Sequence, residues 1–164
     1  VRLCSRLGEN MNSKYKFGLF LLCAGLAIST GAQEKKIKRS ELPPAVEKTV
    51  VEQSKGATIK GFNEEKENGQ TSYEVEMIVN GHTKDVQMDP NGVVIEVEEQ
   101  VSIDALSADI KAGLQAKADK GKIMKVESIT KKDKLVAYEA QIVTDGRKSE
   151  VQVGPDGKPL DHEE

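Results

Sequence analysis

Residues 73–99 read YEVEMIVNGHTKDVQMDPNGVVIEVEE, and residues 138–164 read YEAQIVTDGRKSEVQVGPDGKPLDHEE. Nine of the twenty-seven aligned positions are identical without a gap: Tyr73/Tyr138, Glu74/Glu139, Gly81/Gly146, Val86/Val151, Gln87/Gln152, Pro90/Pro155, Gly92/Gly157, Glu98/Glu163 and Glu99/Glu164. Identity at a constant spacing of 65 positions marks a duplication rather than shared composition. Within each copy apolar residues alternate with polar ones and are broken by Asn80-Gly81 or Asp145-Gly146 and by a Pro-x-Gly turn. That pattern predicts antiparallel strands joined by tight turns.

Working outward, each copy is preceded by an amphipathic helix. Leu42, Val46 and Val50 recur every fourth residue, with Val51 beside them, after Pro43-Pro44 at an opening turn and before a stop at Gly56. Leu106, Ile110 and Leu114 repeat the spacing, with Ser102 as the candidate cap and Gly121 as the stop. Strands are expected at 59–64, 71–79, 83–88 and 93–98, then at 123–129, 136–144, 148–153 and 159–161. The expected class is therefore α+β: two tandem α-β-β-β-β units, 41–100 and 101–164, with both helices on one face. A lone unit of about sixty residues orders too much backbone for the few aliphatics it buries, so the units should share one sheet or core. The junction at Gln100-Val101 is too short for a flexible linker.

Strand parity assigns the two faces. Tyr73, Val75, Met77 and Val79 share one side, as do Tyr138, Ala140, Ile142 and Thr144, and that side should take the helices. Glu74, Glu76 and Ile78, with Glu139, Gln141 and Val143, should face water. The acidic rows Glu74, Glu76, Glu96, Glu98 and Glu99 are read first as a solvated surface that resists edge pairing, and second as a docking face for a basic partner.

The N-terminus reads as an address. Met11 opens a basic stretch with Lys14 and Lys16, an apolar run covers 17–28, and Ser29-Thr30-Gly31-Ala32 suits a signal peptidase. Residues 1–10 read as an upstream start artefact and 33–40 as a polar tether. Removing 1–32 takes four basic residues and one acidic residue, so 24 − 4 = 20 against 27 − 1 = 26 leaves a net charge of −6 and no cysteine. Such a chain is held by its core without disulfides, and its acidity argues against a phosphate backbone as partner. The apolar run is shorter than the ~20 residues needed to span a bilayer, so stable membrane insertion after cleavage is not expected.

No catalytic set forms in the sequence. His82 follows a turn and His162 lies in the terminal Asp161-His162-Glu163-Glu164, neither beside a nucleophile. Asp89-Pro90-Asn91-Gly92 lacks the further oxygen ligands of a calcium loop and runs on into Val93-Val94-Ile95, so it reads as a turn. No cofactor and no metal site are expected.

Leu42-Pro43-Pro44-Ala45-Val46, the turn to Gly56, Tyr73-Glu74-Val75 and Asp89-Pro90-Asn91-Gly92-Val93-Val94 resemble the PepSY-like domains of exported bacterial proteins. The repeat is similar to tandem PepSY-like proteins that share the architecture of the β-lactamase-inhibitor protein, from Glu41 to the end. The resemblance implies inhibitory or regulatory binding in the periplasm or outside the cell. The chain departs from the inhibitor pattern in having only Phe62, Tyr73 and Tyr138 as aromatics after residue 32, whereas interface anchors favour tyrosine and tryptophan. The expected function is thus an exported, monomeric, non-enzymatic binding or regulatory module for another envelope or secreted protein. Its candidate contacts are Glu74, Glu76, Ile78, Asn80, His82, Glu96, Glu98, Glu139, Gln141, Val143 and Arg147. The alternative is a periplasmic small-ligand or cation binder, motivated by the carboxylate rows.

Overall fold

The computed structural model describes residues 33–162 and Glu164. The expected leader at 11–32, the upstream residues 1–10 and Glu163 lie outside the described residues. The chain forms β1 (Gln33–Lys36), α1 (Pro44–Gln53), β2 (Thr58–Glu67), β3 (Gln70–Val79), β4 (His82–Met88), β5 (Val94–Val101), α2 (Ala108–Ala118), β6 (Lys122–Lys131), β7 (Lys134–Thr144) and β8 (Arg147–Val153). A short 3-10 turn precedes each helix, at Arg39–Glu41 and Ile103–Ala105.

The eight strands make one antiparallel sheet in sequence order. This overturns the expected α+β class with two α-β-β-β-β units: the molecule is mostly sheet, with two helices of ten and eleven residues. Residues 159–161 form no strand; Pro159 has no amide hydrogen to give a ladder. At the other end, Gln33–Lys36, read as the start of a tether, pair with β2 from Gln33↔Lys66 to Lys36↔Asn63. All four side chains of β1 are exposed, so backbone bonding alone holds it and no apolar alternation announces it.

The registers explain the miscount. Lys36 opposes Asn63 in β2, and Gln100 opposes Glu127 in β6. Phe62 and Val126, one residue earlier, face Val75 and Ala140, so β1 stands to β2 as β5 stands to β6. Each helix therefore has a strand before it, and β5, which pairs with both β4 and β6, joins the halves. Gln100 and Val101, where one unit was expected to give way to the next, lie inside β5.

One sheet carries two apolar cores. Leu42, Val46 and Val50 close over Phe62, Val75, Met77, Val86 and Met88; Leu106, Ile110 and Leu114 close over Val126, Ala140, Ile142 and Val153. Val97 packs on the first core and Val101 on the second, so β5 serves both. Val51 stays exposed rather than joining the buried face of α1. α2 is capped by Ser107, whose Oγ accepts from the Ile110 amide at 3.3 Å; Ser102, the expected cap, precedes the 3-10 turn instead.

Three glycines set how close the sheet's turns lie to the helices. A Cβ on Gly92, at φ 78°, would sit 2.4 Å from the Ala45 carbonyl oxygen, and one on Gly157, also at 78°, 2.4 Å from that of Asp109. Gly113, costly for a helix by propensity, leaves space for the Gly157 carbonyl, which a Cβ would meet at 2.0 Å. The conserved Pro-x-Gly spacing between the two copies is thus a packing requirement as well as turn chemistry.

Candidate functional site

The face away from the helices is where the register gathers charge. Glu76, Asp85 and Glu98 form one cross-strand row over β3, β4 and β5, and Glu74, Gln87 and Glu96 form the next. Strand alternation puts these residues on one side because β3–β5 pair in a fixed register, each carboxylate two residues from the last. Glu127 and Glu139 oppose each other on β6 and β7. Like charges on neighbouring strands repel, so the row is unfavourable unless it is protonated, bonded or countered.

The row is also withdrawn from water, contrary to the expectation of a solvated face. Glu127 is 2% exposed and Asn63 2%, while Glu74, Glu76, Asp85, Glu96, Glu98 and Glu139 are each partly buried. Ile129, opposite Glu98, and Ala137, opposite Ile129, are buried outside both cores and make an apolar floor beside the carboxylates. Polar neighbours satisfy part of the cost. Asn63 Nδ2 donates to Glu76 Oε1 at 2.9 Å and to Glu74 Oε1 at 3.3 Å, Gln152 Nε2 donates to Glu139 Oε2 at 2.9 Å, and Gln87 donates to Glu65. Glu127 is met by the Lys125 ammonium at 2.7 Å and by the Thr83 hydroxyl at 2.9 Å.

These conditions hold protons on the face. Burial, then the charges of Glu65 and Asp85, pushes Glu74 up to about 8. Burial, then Glu139, Glu96, Glu127 and Asp85, takes Glu98 to about 8. Burial, then Glu127, raises Asp85 to about 6, although Lys125 pulls it down. Glu139 is raised by burial against the opposing Gln152 hydrogen bond. A hollow of about 200 Å³ opens among Glu65, Glu74, Asp85, Gln87, Glu96 and Glu98. One oxygen from each of Asp85, Glu98 and Glu127 falls within 4.8 Å of the others.

The residues singled out from sequence divide into three places. Glu74, Glu76, Glu96, Glu98 and Glu139 belong to this acidic face, and Lys131 stands 3.6 Å from Glu96. Ile78, Gln141 and Val143 lie farther along the same face, with Gln141 Nε2 donating to Glu150 Oε1 at 3.4 Å. Asn80, His82 and Arg147 are exposed at the β3–β4 and β7–β8 turns and reach no carboxylate of the row. Sequence reasoning missed Asn63, Glu65, Asp85 and Glu127. Asp85 was open to discovery, since it lies two residues before Gln87 on β4; Glu127 was not, because only the β5–β6 pairing brings it to Asp85. Asp89 is a turn residue: its Oδ1 accepts from the Asn91 and Val93 amides, both at 2.9 Å, and these bonds hold its carboxyl below the usual range. Tyr73 and Tyr138 pack against the cores, so the acidic face carries no aromatic among the described residues.

Among the described residues no helix is long and apolar enough to cross a membrane. No family model matches the chain, and no curated protein matches it. Solved structures do. A DUF2874 family protein from Bacteroides ovatus is 18% identical with a TM-score of 0.55, covering 73% of this chain and 84% of its own. A candidate periplasmic protein from Bacteroides eggerthii is 16% identical with a TM-score of 0.58, covering 73% and 86%. A BLIP-like protein from Bacteroides fragilis is 17% identical with a TM-score of 0.52, covering 73% and 83%. At these identities the likeness shows fold and not membership of the PepSY-like family: the chain is similar in fold to these Bacteroides proteins, one of which is called BLIP-like.

Proposed function

We propose that the protein is an exported, non-enzymatic binding module that holds another envelope or secreted protein through the acidic face of its sheet. The observation that carries this reading is the Glu76–Asp85–Glu98 row with Glu127 beside it. A lysine- or arginine-bearing segment of a partner supplies the positive charge that this desolvated row lacks, since among the described residues only Lys125 pairs with its carboxylates, at Glu127, and Lys131 pairs with Glu96 in the next row. Binding of such a segment drives protons off Glu74, Asp85 and Glu98, so affinity rises with pH and falls with salt.

A lysine- and arginine-rich peptide titrated calorimetrically into the protein tests it. Binding that strengthens between pH 5 and 8, weakens in high salt and drops roughly tenfold in Glu76→Gln with Glu98→Gln supports the reading. Equal affinity in the variant, or none at low salt, removes it.

The alternative, a divalent-cation binder, has the convergence of Asp85, Glu98 and Glu127 in its favour. Against it, the Lys125 ammonium and the Thr83 hydroxyl already engage Glu127 Oε1. Calorimetric uptake of calcium or magnesium at near-physiological concentration, abolished by Glu98→Gln, would replace the protein-binding reading with this one.

A further inference from the structure

The two halves provide an internal comparison. Thr58, Ile78 and Thr83 form a cross-strand row at the end of the sheet face in the first half. The corresponding row in the second half is Lys122, Val143 and Lys148. Beside each row β2 or β6 bulges by one residue, between Ile59 and Gly61 or between Ile123 and Lys125. The bulged residue is Lys60 in the first half and Met124 in the second, where it stands 56% exposed. An uncharged row with a lysine bulge has thus become a basic row with an apolar bulge. Turn chemistry cannot require the exchange, because both bulges have the same register.

Met124 borders a hollow of about 300 Å³ with Ile142, Val143 and Lys148. Lys122 and Lys148 are exposed and have no ion-pair partner among the described residues. The one carboxylate lining the hollow, Glu150, is engaged by Gln141 at 3.4 Å. An exposed methionine over an open hollow is a place for an apolar side chain to be buried. Two ammonium groups without an ion-pair partner, on either side of Val143 in the cross-strand row, favour negative charge on either side of that side chain.

From this we propose a second docking site, of opposite charge, at the far end of the same face: Lys122, Met124, Val143 and Lys148 take a partner-protein segment in which a large apolar residue is flanked by carboxylates. The site extends the proposed function by defining a direction along the face, since a partner lying across it presents basic residues to the Glu76–Asp85–Glu98 row and an acidic, apolar stretch to this end. It rests on that reading only in supposing one partner for both places.

The test is a nitrogen-15 NMR titration of the protein with short peptides having phenylalanine between two glutamates, between two lysines, or replaced by alanine. The glutamate-flanked peptide is expected to move the amide signals of Met124, Val143 and Lys148 to saturation, and the other two to leave them in place. The triple change Lys122→Thr, Met124→Lys and Lys148→Thr installs the residues of the first half at the same register positions, so the fold is preserved, and is expected to weaken binding roughly tenfold. Glu76→Gln with Glu98→Gln is expected to leave it unchanged, which separates failure of this site from failure of the acidic face. Equal binding of the lysine-flanked peptide, unchanged affinity in the triple variant, or no shift at all overturns the proposal. So does binding of phosphatidylglycerol vesicles, or concentration-dependent dimerisation, through these same residues with no response to the peptide.

Discussion

Neutralising Glu98 should stabilise the protein, by an amount that grows as pH rises from about 4.5 to about 8. Its carboxyl sits at about 8 in the folded state against an ordinary 4.5, with burial first and Glu139, Glu96, Glu127 and Asp85 following as causes. The folded state therefore binds more protons than the unfolded chain between about pH 4 and pH 8. Stability from this group is fully present below pH 4 and is lost as pH rises through about 8. A gap of 8 − 4.5 corresponds to about 4.8 kcal/mol if this group alone carried it. Glu98 remains partly exposed and shares its repulsion with Glu139, Glu96, Glu127 and Asp85, so solvent screening and that sharing reduce the expected gain to about 1–2 kcal/mol. Glutamine keeps the shape and the hydrogen-bonding capacity while removing the charge. Urea melts at pH 5, 6.5 and 8 should show Glu98→Gln equal to the parent at pH 5 and more stable at pH 8, with the parent itself losing stability across the series. Glu64, Asp89 and Asp156, whose carboxyls hydrogen bonds hold low, act in the opposite sense and only below about pH 4. A parent that gains stability from pH 5 to 8, or a variant destabilised equally at every pH, would refute the reasoning.

Other expectations concern single contacts. Gly113→Ala, which helix propensity favours by about 1 kcal/mol, should instead lower the melting temperature, because its Cβ would meet the Gly157 carbonyl at 2.0 Å. Gly92→Ala should cost more than Gly146→Ala by about 1 kcal/mol or more in urea melts. Both sit at φ 78°, but only Gly92 would meet the Ala45 backbone, while nothing lies within 4 Å of Gly146. Lys125→Met should destabilise by about 3 kcal/mol at neutral pH, because it strands the buried Glu127 carboxylate; recovery in the double variant with Glu127→Gln checks the cause. Arg39→Ala should change stability by less than about 1 kcal/mol, since its pair with Glu47 is at the surface.

Local chemistry made much of the fold legible. Period-four aliphatics located both helices, and turn dipeptides located the hairpins, because glycine and asparagine at positive φ are chosen by the backbone itself. Alternation likewise put Tyr73 and Tyr138 on the core side and the glutamates of β3 on the other. Sequence failed where a strand has no buried side chain, as in β1, and where one strand serves two partners, as in β5. Both are decided by which backbone edges remain free once the sheet assembles.

The sequence by itself showed nine identities at a spacing of 65 positions and placed the helical faces, the turn positions and the sign of the charge on the outer face. Only the tertiary structure decided that eight strands run in one sheet over two cores, and that Glu76, Asp85, Glu98 and Glu127 converge from four different strands. It also decided that the outer face is partly closed to water. Alternation is a property of neighbouring residues, so it reports which side a side chain takes; convergence depends on inter-strand register and on burial, which arise between residues far apart in the chain.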